Sequence, residues 1–391
     1  MTHTTRKPPR SAKLPSQGPK TLPNSATAIE YIGPETFVTR RFPMPMVADD
    51  EMIVEVTLCG VDGSEVHMFR GELDWIDDIA PVIFGDEILG RVAALGETAA
   101  ATRGLDVGDR VVIEARWPCD GCRSCDADQY YLCERNGLKS GYAATTSADK
   151  PHLWGGYATH VFVPREALVY RVPDRLPDTT ALVACSALAN GVRWAERGGV
   201  RDGGHVVIIG PGAQGICCAV GALDLGATVT LVGLTQDHPR MAIAEQFGVK
   251  QLVEIDPEVD TDTTARDIIA RYGAADVVIE VAGALSAKEL ALKVVAALGT
   301  VVSVAVPSQP TQPINWLQLL SREITIVSLA SHPHSVEPAF ALASALLERG
   351  MDLGDLVTDI LPLESAEHAV RLAGYEFEAR PVKVALAPTR S

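Results

Sequence analysis

Apolar and polar positions follow a repeating pattern in the second half of the chain. Short apolar runs, each about as long as a buried strand, alternate with stretches of helical periodicity. The predicted strands are Val206–Ile209, Thr228–Val232, Asp276–Glu280 and Thr300–Val304, and helices are predicted up to Leu225 and near Pro239–Phe247. Strands that alternate with helices build a parallel sheet with helices on both faces. The pattern therefore predicts an α/β fold with a doubly wound sheet.

The first predicted strand runs directly into a glycine-rich turn. The turn reads GPGAQG, with Gly210, Gly212 and Gly215 at the spacing of the dinucleotide fingerprint, and a helical pattern follows it. Gly210 permits the tight turn, Gly212 lets the backbone approach a pyrophosphate, and Gly215 lets helix and strand pack closely. The pyrophosphate then sits at the helix N-terminus. This strand–turn–helix context predicts a dinucleotide-binding site.

The end of the second predicted strand bears on the choice of cofactor. An NAD site needs an acid there to take the ribose hydroxyls, but the sequence has Gly233, and Thr235 and Arg240 are among the next polar residues. The missing carboxylate removes a repulsion against a 2′-phosphate, and Arg240 can pair with one. The strand end therefore favours NADP. In the alternative, NAD binds and Arg240 is a solvated helix residue.

Composition narrows the class of partner. The 391 residues include 50 acidic and 34 basic side chains, so the net charge is −16. An acidic chain does not bind nucleic acid or an anionic membrane unaided, and no apolar run reaches the ~20 residues of a membrane span. Residues 1–26 are rich in Pro, Ser, Thr, Lys and Arg, which predicts a disordered tail rather than a secretory signal. We expect a cytoplasmic location.

Four of the eight cysteines fall within a single short segment. Residues 119–133 read CDGCRSCDADQYYLC, and their cysteines are Cys119, Cys122, Cys125 and Cys133. In a cytoplasmic protein such clustering indicates metal binding rather than disulfides. Four thiolates close a tetrahedral zinc site, which leaves no position for substrate and makes the zinc structural. An iron–sulfur cluster and a pair of disulfides are the alternatives.

Several further segments carry a resemblance to a known family. They are GVDGSEVH (60–67), FGDEILG (84–90), GDRVV (108–112), GGYATHVFVP (155–164) and DVVIEVAG (276–283). Two segments described above belong with them: residues 119–133, which we call the cysteine lobe, and the glycine-rich turn at 210–215, which we call the glycine fingerprint. Together these segments resemble the zinc-containing medium-chain alcohol dehydrogenases, in particular the polyol and threonine dehydrogenase branch. The resemblance implies a GroES-like, β-rich catalytic domain formed by 27–186 and 340–391, and a Rossmann domain at 187–339. Cofactor and substrate would meet in the cleft between these domains.

The resemblance also implies a catalytic zinc that is held by a Cys, a His and a later Cys. In this chain the three positions are Asp62, Asp86 and Cys185, and Glu87 keeps the acid that follows the His in the family. Carboxylates do bind zinc. Two carboxylates and one thiolate, however, leave the centre with a charge of about −1 and make it a poorer Lewis acid. Cys59 restores a thiolate only if the loop shifts by three residues.

A metal-free alternative gives the same residues another role. Without a metal, Asp62, Asp86 and Glu87 bring three carboxylates into one cleft, so at least one pKa should rise. A carboxyl group that stays protonated can give its proton to a carbonyl oxygen during hydride reduction. The sequence leaves both alternatives open.

The resemblance places Ser64 and His67 in a proton relay. Ser64 stands where the family hydrogen-bonds the substrate oxygen, and His67 stands where the relay leads to solvent. A carbonyl–alcohol reaction needs this route because its proton goes to oxygen. The prediction is an NAD(P)-dependent oxidoreductase of a secondary alcohol (a polyol or cyclitol, by family subgroup) and its ketone, acting as a homodimer or homotetramer. The alternatives are a zinc-free reductase of an activated double bond or imine, and an inactive nucleotide-binding regulatory protein.

Overall fold

The structure is a computed structural model, and it describes residues 22–135, 141–307, 311 and 313–388. The predicted tail lies outside the described residues as far as residue 21. Ser25 and Ala26, which that prediction included, belong instead to the first strand, in which Ala26 is fully buried.

Strands predominate in the first part of the described chain, and strands and helices alternate in the second. The strands are β1 (Ser25–Gly33), β2 (Thr36–Pro43), β3 (Met52–Val61), β4 (Val82–Ile83), β5 (Ile88–Leu95), β6 (Arg110–Ile113), β7 (His160–Val163), β8 (Val169–Arg171), β9 (His205–Ile209), β10 (Thr228–Leu234), β11 (Gln251–Ile255), β12 (Ala275–Glu280), β13 (Val295–Ser303), β14 (Thr325–Ser328), β15 (Val357–Pro362) and β16 (Lys383–Ala387). The α-helices are α1 (Gly63–Phe69), α2 (Glu97–Arg103), α3 (Arg123–Asp126), α4 (Asp178–Val183), α5 (Ala189–Arg197), α6 (Ala213–Asp224), α7 (His238–Gln246), α8 (Thr261–Tyr272), α9 (Leu285–Val294), α10 (Trp316–Arg322), α11 (Val336–Glu348) and α12 (Ala366–Ala373).

A parallel sheet forms the second half of the molecule, in the order β11-β10-β9-β12-β13-β14. Successive strand residues face opposite sides, so Val206 and Ile208 pack into one core while Val207 and Ile209 pack into another. The four predicted strands are confirmed as β9, β10, β12 and β13, and the two predicted helices as α6 and α7. The doubly wound fold is therefore confirmed, although the prediction missed β11 and β14.

The N-terminal half is rich in β-structure, as the resemblance implied. A three-stranded sheet has the order β2-β1-β4, and a larger sheet has the order β15-β16-β3-β5-β6-β8, with β7 also paired to β3. The C-terminal strand β16 lies antiparallel to β3, with Val384 opposite Val61 and Leu386 opposite Cys59. This pairing places Lys383 beside the loop that follows β3. Of the helices described, none combines the length and the apolar character that a membrane span requires.

Candidate active site

A cavity of about 880 Å³ is shared by the two halves of the molecule. The predicted site residues that line it are Asp62, Ser64, His67, Asp86, Gly210, Gly212, Gly215, Gly233 and Arg240. The glycine turn and the end of β10 lie at the carboxyl ends of parallel strands, where doubly wound folds bind their ligands. The cavity therefore joins the predicted cofactor site to the predicted reacting groups.

The glycine fingerprint has the geometry that its spacing predicts. Gly210 has a φ of 113°, a backbone conformation that favours glycine. A Cβ on Gly215 would lie 1.8 Å from the carbonyl oxygen of Gly210, so only glycine lets α6 start this close to β9. A Cβ on Gly212, at the N-terminus of α6, would meet nothing within 4 Å. The turn thus leaves open space at a helix N-terminus, where a phosphate group fits.

The end of β10 differs from the expectation in two ways. Gly233 has a packing role, because a Cβ there would lie 2.7 Å from Pro211 Cγ. Thr235 is not among the residues that line the cavity, whereas Asp237 is. The Asp237 carboxylate accepts a hydrogen bond from the last amide of β10 at 3.0 Å and pairs with Arg240 at 3.1 Å. Sequence reasoning missed this acid, although its spacing of three residues from Arg240 is typical of a helical ion pair.

Arg240 is buried rather than solvated. Its side chain lies 4.1 Å from the ring centroid of Tyr375, and the residue is only 4% exposed. One terminal guanidinium nitrogen of Arg240 has no hydrogen-bond partner, although the residue lines the cavity. Buried donors are normally paired. The free N–H therefore fits an anionic group of a bound ligand.

The first turn of α1 fixes Asp62 and Ser64. Asp62 is the N-cap, and its carboxylate accepts hydrogen bonds from the Glu65 amide at 2.9 Å and the Ser64 hydroxyl at 2.8 Å. In return, the Glu65 carboxylate accepts a hydrogen bond from the Asp62 backbone amide, which completes a capping box. The Glu65 carboxylate also accepts hydrogen bonds from the Gly85 amide and from the Tyr157 hydroxyl, each at 2.7 Å. Burial, and then the charges of two neighbouring aspartates, raise the pKa of Glu65 well above its usual range.

Asp86 and Glu87 are adjacent in sequence, but only Asp86 lines the cavity. Burial, and then the charges of Asp62 and Glu87, raise the pKa of Asp86 to about 8, although the guanidinium of Arg116 opposes the shift. Glu87 is 4% exposed and forms an ion pair with the ammonium group of Lys383, which is 6% exposed. Sequence reasoning missed Lys383. The available signal was a single lysine within the apolar strand sequence VKVALA.

The predicted ligands of a catalytic metal do not converge. Cys185 does not line the cavity, and Ser186 does. The Cys185 thiol donates a hydrogen bond to the Leu182 carbonyl at 3.1 Å, and burial raises its pKa well above the usual range. Asp62 is engaged in the helix cap, and Cys59 is fully buried in the core. These residues do not fit a zinc ion with three protein ligands.

His67 lies one turn after Ser64 on α1, so the two side chains share one face of the helix. Its side chain is 26% exposed, and Nδ1 lies 2.5 Å from the Glu72 carboxylate. Both Ser64 and His67 line the cavity. The geometry therefore fits a proton path from the cavity towards solvent.

The four cysteines of the lobe do converge. Among the described residues, they alone bring three or more potential ligand atoms within 4.8 Å of one another. The Cys125 amide points at Cys122 Sγ at 3.4 Å, and this hydrogen bond lowers the pKa of the Cys122 thiol to about 6, whereas burial raises the pKa of the Cys119 and Cys125 thiols in the absence of a metal. A thiolate is the form that binds zinc. The donor set thus fits a structural zinc, which would stabilise the lobe by linking metal binding to its folding.

Metal content distinguishes the two groups of ligands. Protein purified without added metal is expected to contain about one zinc per chain, since a four-thiolate site is filled. Cys122→Ser should lose this zinc and lower the stability measured by thermal unfolding, whereas Cys217→Ser, in the core, should retain it. About two metals per chain, with one lost in Asp62→Ala, would show instead that the carboxylates are working ligands.

The lobe also reaches the cavity. Tyr131, which precedes the last lobe cysteine by two residues, lines the cavity. Its hydroxyl accepts a hydrogen bond from Arg193 at 3.1 Å, and Arg193 also donates to the carbonyls of Ala330 and Ser331 at 3.2 and 3.1 Å. Arg193 therefore connects the lobe to the loop that follows β14.

Comparisons with known proteins agree with this arrangement. Residues 48–174 match the family model of the alcohol dehydrogenase GroES-like domain, and residues 213–345 match that of zinc-binding dehydrogenases. A Mycobacterium tuberculosis protein named "Probable alcohol dehydrogenase adh" is 34% identical over 280 residues, which cover 70% of this chain and 74% of that protein. A sorbitol dehydrogenase of Halalkalibacterium halodurans is 29% identical over 90% of this chain and 96% of its own. The crystal structure of an alcohol dehydrogenase from Thermotoga maritima has a TM-score of 0.79 at 25% identity, covering 93% of this chain and all of that one.

Proposed function

This chain belongs to the zinc-containing medium-chain alcohol dehydrogenase family, and from that premise we propose that it interconverts a secondary alcohol and its ketone with NAD(P). One observation carries the proposal: a single cavity joins the glycine fingerprint to Ser64, His67 and Asp86. The relatives include sorbitol dehydrogenases and an erythritol/L-threitol dehydrogenase, so we propose polyols as the substrate class. The cysteine lobe fits a cytoplasmic enzyme.

Each of these cavity residues has its own proposed role in ketone reduction. The glycine fingerprint would hold a nicotinamide cofactor, which would supply the hydride that the carbonyl carbon needs. The carbonyl oxygen then needs one proton. Asp86, whose pKa is raised to about 8, can hold that proton at neutral pH. The Ser64 hydroxyl donates to Asp62, so its oxygen can accept a hydrogen bond from the alcohol hydroxyl, and His67 extends the path to solvent. In the reverse direction the same groups take the proton from the alcohol.

A turnover screen tests this proposal against its alternatives. Wild-type protein is incubated with NADH or NADPH and with ketones, imines and activated alkenes. Reduction of ketones, with oxidation of the matching alcohols, supports the proposal. Turnover of alkenes or imines alone would establish the alternative reductase. Cofactor binding without turnover of any class would indicate a regulatory protein.

Arg240 is proposed to take the 2′-phosphate of NADP, because its ion pair balances the charge of the Asp237 carboxylate and one of its nitrogens is still unpaired. Arg240→Gln keeps a donor for Asp237 but removes the charge, so the KM for NADPH should rise about ten- to a hundredfold, the range of a charge-assisted hydrogen bond. The effect on the KM for NADH should be much smaller. Steady-state kinetics with both cofactors measure the difference, and the exposed Arg201→Gln is the matched control. An equal rise for both cofactors would contradict the assignment.

A homodimer is proposed from the edge of the parallel sheet. Within the described residues, β14 pairs with a strand on one side only, and the neighbouring α10 exposes Trp316, Leu317 and Leu320 by 72, 73 and 76%. An edge strand beside an apolar patch favours association. Leu320→Glu should therefore convert the dimer to a monomer in light scattering, whereas Met46→Glu, at another exposed position, should not. A wild-type monomer would contradict the proposal.

A further inference from the structure

Buried polar atoms that lack a partner are concentrated in the cavity. Among the described residues, six buried side-chain polar atoms have no hydrogen-bond partner; two of them, on Glu87 and Glu280, are in ion pairs with lysines, and the other four belong to residues that line the cavity. Native proteins pair nearly all such atoms, because each unpaired one costs about 1–3 kcal/mol. One of the four is on Arg240, at the end of β10. The others are on Asn190, Trp194 and His332, which we call the polar wall.

Two side-chain amide hydrogen bonds determine which atom of Asn190 remains unpaired. The Gln214 amide nitrogen donates to the Ala187 carbonyl at 3.0 Å, which leaves Gln214 Oε1 as an acceptor. Asn190 Nδ2 donates to that oxygen at 3.2 Å. The unpaired atom of Asn190 is therefore Oδ1, which can only accept a hydrogen bond. A hydrogen-bond donor bound in the cavity would satisfy it.

Trp194 and His332 complete the polar wall. Trp194 lies one turn after Asn190 on α5 and is 7% exposed, and its unpaired indole N–H can only donate. His332 is 5% exposed, and its Nδ1 is unpaired. Burial, reinforced by the charge of Arg193, lowers the pKa of His332 to about 4, so the ring is neutral at pH 7. Either ring nitrogen can then accept or donate, according to the tautomer.

The wall thus presents one acceptor, one donor and one group that can be either. A hydroxyl group both donates and accepts, so hydroxyl groups complement this set. We propose that Asn190, Trp194 and His332 select a polyhydroxylated substrate by hydrogen bonding hydroxyl groups other than the reacting one. The inference rests on the proposed function and assigns its specificity to named residues. A simple alcohol has no second hydroxyl and would leave the wall unpaired, which is how a polar site rejects an analogue that lacks a group.

Trp194→Phe tests the assignment, because it removes the N–H and keeps an aromatic ring. Trp117→Phe is the matched control, since Trp117 is similarly buried but does not line the cavity. The probes are ribitol and xylitol against pentan-2-ol, each with saturating NAD or NADP. We expect wild type to favour a pentitol in kcat/KM, and Trp194→Phe to reduce that preference about tenfold, the effect of one hydrogen bond. His332→Phe should reduce it similarly, and the control variant should match wild type.

Several results would overturn the proposal. An unchanged preference in both cavity variants would show that the wall does not touch the substrate. A rise in the KM for the cofactor, with equal losses for both substrate classes, would assign the wall to the nicotinamide carboxamide. A wild type that oxidises pentan-2-ol but neither pentitol would reject the substrate class and leave the proposed function standing. Absence of turnover with every probe and both cofactors would reject the proposed function as well.

Discussion

Asp86→Asn is expected to lower kcat for ketone reduction about 10²- to 10⁴-fold, the usual contribution of a positioned proton donor. Asparagine keeps the shape of the side chain, but its amide cannot release a proton. The KM for the cofactor should change little, because Asp86 lies at the reacting end of the cavity. Steady-state kinetics measure both constants, and Asp174→Asn, at an exposed position, is the matched control. A variant that reduces ketones at the wild-type rate would exclude Asp86 as the acid.

The pH dependence gives a second readout for the same residue. Reduction by wild type should fall as the pH rises above about 8, where Asp86 loses its proton, and oxidation should rise. Stability should follow the same titration. The pKa in the folded state is raised from 3.8 to about 8, so the stabilising effect of protonation is complete below pH 3.8 and is lost as the pH rises through 8. Asp86→Asn should therefore be more stable than wild type at pH 8, in urea unfolding, and lose this advantage in acid.

Lys383→Met is expected to lower the free energy of unfolding by about 3–5 kcal/mol, the cost of leaving one partner of a buried ion pair uncompensated. Burial alone would lower the pKa of Lys383, but the charges of Glu87 and Asp62 raise it above its usual range, so the ammonium is charged. Its Nζ also donates to the Val61 carbonyl at 3.2 Å. The substitution therefore leaves the Glu87 carboxylate without its opposite charge, and it removes the hydrogen bond between β16 and the Val61 carbonyl. Urea unfolding measures the loss.

A double variant shows whether the ion pair is the cause. Lys383→Met combined with Glu87→Gln removes both charges, so it should recover more than half of the lost stability. Lys383→Arg, which keeps the charge, should lose less than Lys383→Met. Equal losses in the single and double variants would show that packing around Lys383 matters and that the ion pair does not.

The parallel sheet could be predicted where its strands are buried on both faces. The central strands are continuous apolar runs because helices cover both sides of them. The two strands that were missed, β11 and β14, are the two edges of the sheet. Edge strands are short and partly exposed: β11 carries Glu254, and Thr325 and Ser328 of β14 are exposed. Their sequences therefore lack the apolar run on which the prediction depends.

The site was predictable where a motif stands in one segment and not where distant segments meet. Asp62, Ser64 and Asp86 could be found by position, but Lys383 joins them only through the pairing of β16 with β3, more than 300 residues apart. A sequence motif also does not show which side chains of a helix face the cavity. Cys185 and Ser186 lie in a π-helical turn between α4 and α5, where adjacent side chains point in different directions, and Ser186 is the one that faces the cavity.

The contact between the cysteine lobe and the cavity has a consequence for the cavity itself. The lobe supplies Tyr131 to the lining of the cavity, so a zinc ion bound by the lobe would hold part of that lining although it takes no part in the proposed chemistry. Oxidation of the lobe thiols would expel that ion and release the tyrosine. Loss of the lobe zinc would accordingly change the lining of the cavity at Tyr131 first, because Asp86 and the glycine fingerprint belong to other segments of the chain.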